Sequence, residues 1–113
     1  MTASRRRALD GVLAHIESHL ATPLPLTSLA ALAGLSVWRF CTVFREGLGI
    51  PPHRYIRARR VRRAQALLAE GLPAAIVASE VGFFDQSHLA RSMKRVCNMK
   101  PGQYLAHCTR APD

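Results

Sequence analysis

Two segments of the chain carry one pattern. The stretch "LAALAGLSVWRFCTVF" (29–44) lines up with "IVASEVGFFDQSHLARSM" (76–93), pairing Ala30 with Ala78 and Gly34 with Gly82 at an offset of 48. Past the turn the offset becomes 49, pairing Ser36 with Asp85, Phe40 with Leu89 and Phe44 with Met93. It persists to Pro52/Pro101 and Tyr55/Tyr104, so the second turn holds one more residue than the first. Two copies are too few to stack as a solenoid, and the chain reads instead as a duplicated small motif.

Gly and Pro mark the ends of the pieces, at "TPLP", "AGLS", "GLGIPP", "EGLP", "GFFD" and "NMKPG". Between these breaks apolar residues recur at helical spacing, which predicts seven helices at 5–20, 26–33, 37–47, 53–69, 74–81, 86–97 and 102–107. No period-2 strand is evident. Each copy of the motif is then a short helix, a tight turn and a longer helix. A small Ala lets the two helices cross closely, Gly supplies the turn conformation, and Phe40 or Leu89 locks the second helix onto the first. That is the helix-turn-helix pattern. Ser36 and Asp85 stand where a side-chain oxygen caps the second helix. The expected fold is all-α, with helix-turn-helix subdomains at 1–52 and 71–113 joined by a long central helix at 53–70.

Charge narrows the partner. The 113 residues hold 16 Lys+Arg against 7 Asp+Glu, a net charge of +9 that favours a polyanion. Most of the bases are Arg, whose planar fork donates two parallel hydrogen bonds to phosphate or guanine. Cys41, Cys97 and Cys108 form no CxxC pair, so neither a zinc site nor a disulfide framework is expected. The opening "MTASRRRALDG" lacks the apolar run of a signal peptide, and no stretch is apolar for long enough to span a membrane. These features predict a cytoplasmic, nucleoid-associated protein with no metal and no cofactor.

At about 100° per residue, Val37, Phe40, Val43 and Phe44 share an inward arc on the second helix of the first unit. Trp38, Cys41, Thr42 and Arg45 face away, with Arg39 on the flank. In the second unit Leu89, Met93 and Val96 point in, whereas Ser87, His88, Arg91, Lys94 and Arg95 point out and Gln86 projects from the first turn. Such faces can enter a major groove and address base edges. The competing reading is two ordinary amphipathic helices with solvated polar faces, which leaves the repeated Ala–Gly–apolar spacing unexplained.

Here the chain resembles the AraC/XylS family of bacterial transcription regulators. "GFFDQSHLARSMKRVCNMKPGQY" (82–104) is similar to the family signature G-F-x-D-Q-S-H-F-x-R-x-F-K with its following Pro and Tyr, and "LSVWRF", "PPHRYI" and "RRVRRAQALL" match earlier family segments. The resemblance covers residues 8–107 and is nearest to the family's small stand-alone members. It implies two recognition helices in successive major-groove segments of bent DNA. By alignment it assigns base reading to Trp38, Cys41, Thr42, Gln86, Ser87 and Arg91. From their outward or flanking phase, Arg39, Arg45, His88, Lys94 and Arg95 are expected to contact phosphate, and Gly34, Phe40, Phe44, Arg60, Gly82, Leu89 and Pro101 are expected to be structural. The chain departs from the family with Thr42 for Arg, Leu89 and Met93 for Phe, Cys97-Asn98 for Phe-Gly, and Phe84 for a polar turn residue. An exposed Phe84 would meet a sugar or a partner protein; a buried one would be packing.

The most conspicuous basic run, "RARRVRR" (57–63), opens the central helix. Ile56, Val61, Ala64, Leu67 and Leu68 form that helix's apolar arc, with Arg59, Arg62 and Arg63 opposite or at its edge and Arg57 and Arg60 inside it. A helix of about 17 residues is roughly 25 Å long. With a small domain at each end it can set the ~34 Å spacing of successive major-groove faces. The run therefore reads as a spacer whose outer arginines attract phosphate, with Arg60 structural.

Double-stranded DNA is the expected partner, RNA polymerase a further candidate, and a small-molecule effector is not expected on this chain. The alternative is a non-specific RNA-binding or architectural DNA-binding module. RNA readers use aromatic platforms on a sheet, and only 6% of residues here are aromatic. His88, His107, Asp85 and the cysteines show no triad or metal spacing, so an enzyme is not expected.

Overall fold

The computed structural model describes residues 3–110, with side chains described through Cys108. Seven helices follow in order among these residues, and no strand: α1 (Ala3–Ser18), α2 (Leu26–Ala33), α3 (Val37–Leu48), α4 (Pro52–Ala69), α5 (Ala74–Glu80), α6 (Gln86–Cys97) and α7 (Pro101–Arg110). The chain divides into two compact units between Ile56 and Arg57, part-way along α4.

The first unit closes over Leu9, Val12 and Ile16, which recur one and two turns apart on α1 and form its buried stripe. Leu29 and Ala30 of α2, Phe40, Val43 and Phe44 of α3, then Leu20 and Ile56, complete the core. Phe44 is the hub, meeting Phe40 and Tyr55 edge to face at centroid distances of 5.7 and 5.6 Å. α1 ends two residues earlier than its apolar spacing predicts. The Ser18 hydroxyl donates to the carbonyls of Ala14 and His15 at 3.1 and 3.2 Å, competing for groups that the next turn would use.

The second unit repeats this construction with Val61, Ala64 and Leu68 of α4, Val77 and Ala78 of α5, then Val81 and Phe83, and Leu89 and Met93 of α6. The apolar arc of α4 thus serves both cores in succession, Ile56 in one and Val61, Ala64 and Leu68 in the other.

The sequence repeat is a repeat of hydrogen bonds. α2 ends at Gly34 (φ 70°), whose left-handed conformation lets the Leu35 N–H reach the Ala30 carbonyl at 3.0 Å. α5 ends the same way: Gly82 has φ 87°, and the Phe83 N–H reaches the Ala78 carbonyl at 2.9 Å. Ser36 Oγ accepts the Arg39 N–H at 3.2 Å, and Asp85 Oδ1 accepts the His88 N–H at 2.8 Å. The exits match as well, Gly49 N–H to the Arg45 carbonyl and Asn98 N–H to the Lys94 carbonyl at 2.8 and 3.0 Å. Leu35 and Phe83 still pair at the first offset, whereas the caps Ser36 and Asp85 pair at the second, so the inserted residue is Phe84.

Two inward assignments fail at helix ends. Val37 is 37% exposed and Val96 43% exposed. Both have the right phase, but phase gives direction around a helix and not depth along it. Val37 opens α3 before its core begins. Val96 lies past the core at the far end of α6, bordering a cleft with Ala58, Arg59 and Arg62. Ser92 takes the buried place instead, at 5% exposure. α7 starts at Pro101, whose fixed φ and missing N–H suit a first helical position, and that proline is itself buried.

Candidate nucleic-acid interface

α2 and α3 meet at 78° across the Gly34 turn, which leaves one long side of α3 uncovered. Trp38 stands 75% exposed there, and Arg39 and Arg45 are exposed beside it. Thr42 is half-buried, its hydroxyl donating to the Trp38 carbonyl at 3.1 Å. The hydroxyl hydrogen is committed, so the oxygen is offered outward as an acceptor, suited to a base amino group. Cys41 is not fully outward: it is half-buried and packs against the first core. It touches the same surface only from the floor of a depression of about 400 Å³ that it shares with Trp38, Thr42, Arg45, Glu46 and Pro51.

On α6, Gln86, Ser87, Arg91, Lys94 and Arg95 are all exposed. Ser87, Ala90, Arg91, Lys94, Arg95 and Lys100 line a second depression of about 530 Å³. Four cations and no carboxylate surround it, so the field there attracts anions. His88 departs from its outward assignment. It is half-buried, its ring meets buried Phe83 edge to face at 5.0 Å, and its Nδ1 accepts the Phe84 N–H at 3.2 Å. An accepting Nδ1 carries no proton, which in the neutral ring leaves Nε2–H as the one donor for a ligand.

Glu46 and Lys100 lie on these surfaces although neither spacing nor phase singles them out. The signal for Lys100 is its place beside Pro101, the partner of Pro52 in the repeat. On α4, Arg62 and Arg63 are exposed, whereas Arg59 is half-buried and less outward than its phase implies. Arg57 and Arg60 are half-buried, and burial pushes the Arg60 guanidinium pKa below its usual value. No three His, Cys, Asp or Glu side chains among the described residues lie together as a metal ion would need. No single described helix is long and apolar enough to cross a membrane.

A family model described as "Helix-turn-helix domain" matches residues 29–107. The activator AarP of Providencia stuartii is 31% identical over 97 residues, which are 85% of this chain and 72% of that protein. The chain belongs to the AraC/XylS family of transcription regulators. The part of that family it carries is the helix-turn-helix DNA-binding domain, of which α2–α3 and α5–α6 are the two units. The transcriptional regulator Rob of Salmonella typhimurium is 34% identical over 94 residues, 82% of this chain. The chain spans about a third of the length of several such AraC/XylS relatives, 32% in the case of Rob. Among solved structures, the DNA-binding domain of AdpA in complex with a target DNA is 30% identical and superposes with a TM-score of 0.84, over 90% of this chain and 95% of that one.

Proposed function

We propose that this chain is a sequence-specific reader of double-stranded DNA that regulates transcription, with α3 and α6 in successive major-groove segments. One chain serves as a monomer on an asymmetric site. The observation that carries this reading is the duplication: two helix-turn-helix units alike in their turn and cap hydrogen bonds but with unlike outward faces. Unlike readers have no reason to demand a palindrome. AdpA, a 30% identical relative in fold and sequence, was solved on its target DNA, which supports the same use here.

The roles follow from donor and acceptor chemistry. Arg91 offers a bidentate fork to guanine O6 and N7, and Gln86 the donor–acceptor pair that matches adenine. Thr42 accepts from base edges and Ser87 accepts from or donates to them, and the Trp38 indole brings one N–H and an apolar face. Cys41 contributes from the floor of its depression. Arg39, Arg45, Lys94, Arg95 and the Nε2–H of His88 hold phosphates, which position the protein without reading sequence. Arg60 braces α4, while Arg59, Arg62 and Arg63 add salt-sensitive attraction. The chain works in the cytoplasm with RNA polymerase as a partner and with no small-molecule effector held by residues 1–113 themselves, and the reading requires no catalytic step.

Gel shifts on a selected site and on random duplex test this. Arg91→Ala lowers discrimination by about 1–3 kcal/mol, the worth of one bidentate base contact, and lowers non-specific binding much less. Exchanging Arg59, Arg62 and Arg63 for Gln weakens binding to all sequences alike. Full discrimination in Arg91→Ala, or an altered preference in the triple variant, would refute the assignment. Equal affinity for every duplex, or for RNA, would favour a non-specific module instead.

A further inference from the structure

The chain has seven aromatic residues of the Phe, Tyr and Trp types. Phe40, Phe44, Tyr55, Phe83 and Tyr104 are buried or half-buried. The other two stand in solvent, Trp38 at 75% and Phe84 at 92% exposure. Each marks the entry to the second helix of its unit, Trp38 within the first turn of α3 and Phe84 two residues before α6. An aromatic ring left in water forgoes the burial that stabilises the others, so an exposed ring at a helix entry points to a use outside the core.

Phe84 is also the residue that lengthens the second turn. Its backbone is held: the N–H donates to His88 Nδ1, and the His88 ring rests against buried Phe83. The side chain thus projects from a fixed point. Its apolar neighbours in the chain, Phe83 and Leu89, are 5% and 0% exposed, so neither extends the ring into a larger apolar patch. Exposed Gln86 and Ser87 follow it directly, and the cations Arg91, Lys94, Arg95 and Lys100 share the surface that Ser87 lines. Residues 57–113 hold ten Lys and Arg against four Asp and Glu. An isolated apolar ring at the edge of a cationic surface suits a polyanion that itself carries isolated apolar groups. Duplex DNA is such a partner, because each thymine presents a C5-methyl in the major groove.

We propose that Phe84 packs against the C5-methyl of a thymine at the edge of the segment addressed by α6, adding an apolar component to that unit's specificity. This deepens the reading above and rests on α6 entering the major groove. The contact has no counterpart in the first turn, which lacks the inserted residue, and His88 acts as its positioning residue.

The test uses the full chain and a duplex obtained by site selection. Each thymine is replaced singly by deoxyuridine, which removes only the methyl, and affinities are measured for the wild type and Phe84→Ala. One replacement lowers wild-type affinity about fourfold, the worth of one buried methyl. Phe84→Ala binds the unmodified site at least that much more weakly and is indifferent to that same replacement. Phe84 is exposed, so thermal unfolding of the variant stays at the wild-type midpoint. A Phe84→Ala protein with wild-type affinity and an unchanged deoxyuridine profile overturns the proposal. So does a variant that binds DNA normally but fails to activate transcription with purified RNA polymerase, which would place the ring against protein. A wild type with no sequence preference brings down the underlying reading of α6 as well, and the unmodified protein alone reveals that case.

Discussion

Asp85 stands between Phe84 and Gln86 with one carboxylate oxygen accepting the His88 N–H at 2.8 Å. It does two separable things: it caps α6, and it places a negative charge beside the surface proposed to face DNA. Losing a cap of this kind costs about 1 kcal/mol, within a range of roughly 0.5–2. An exposed carboxylate at a helix N-terminus adds about 0.3–1 kcal/mol at low salt. Asp85→Ala, which removes both, is expected to cost about 1–2 kcal/mol. Asp85→Asn keeps the cap and loses only the charge, at a cost of a few tenths. With roughly 4–8 °C of Tm per kcal/mol for a domain of this size, calorimetry resolves the two variants. DNA affinity should move the other way. Removing one negative charge about 8 Å from a phosphate in a water-like dielectric is worth about 0.5 kcal/mol, so Asp85→Asn binds duplex DNA about twofold more tightly at low salt. The gain shrinks as salt screens the charge. Fluorescence anisotropy across a salt series measures it. A fall in low-salt affinity, or a gain that salt does not erase, would refute this placement of the α6 entry. A Tm unchanged in Asp85→Ala would refute the cap.

Three further changes probe the construction. A Cβ on Gly34 would meet no atom within 4 Å, but φ is 70°, so Gly34→Ala should cost about 1 kcal/mol from backbone conformation alone and Gly34→Asn less, read by urea unfolding. Asn98 is the sole described non-Gly residue with positive φ, at 59°, and Asn98→Gly should stabilise by a few tenths of a kcal/mol in the same assay. The hydrogen bond with Cys108, then burial, raises the Tyr104 phenol pKa above its usual 10.0. A raised folded pKa gives stability that is present below pH 10 and lost as pH rises through the shifted value. Tyrosinate absorbance in a Tyr55→Phe background should show Tyr104 titrating at lower pH once Cys108→Ala is introduced.

Much of this fold is legible before any coordinates. Gly and Pro punctuation locates each helix, and the doubled Ala–Gly–apolar spacing locates both turns, because those residues act locally through backbone conformation and close crossing. Depth is a different matter. Val37 and Val96 have the phase of core residues and yet lie at helix ends, more than a third exposed. Cys41 has the phase of a surface residue and yet packs inward, since the packed body is wider than a helical wheel implies. The position of the inserted residue emerges only from hydrogen bonds, which put Phe84 between a turn and a cap that otherwise match the first unit. His88 also lies inward over Phe83, a contact with no signature in spacing. The arginine run shows the reverse error of emphasis. It is the loudest feature of the sequence, yet the outward faces with mixed polar chemistry belong to α3 and α6.

The central claim, that one chain reads DNA with two unlike helices, is tested most directly by selecting binding sites from random duplex DNA at a stated salt concentration. Two unlike readers should select an asymmetric consensus with two blocks of preference about one helical turn apart. Trp38→Ala should relax one block and Arg91→Ala the other. A palindromic consensus, a single block, or loss of the same block in both variants would contradict it.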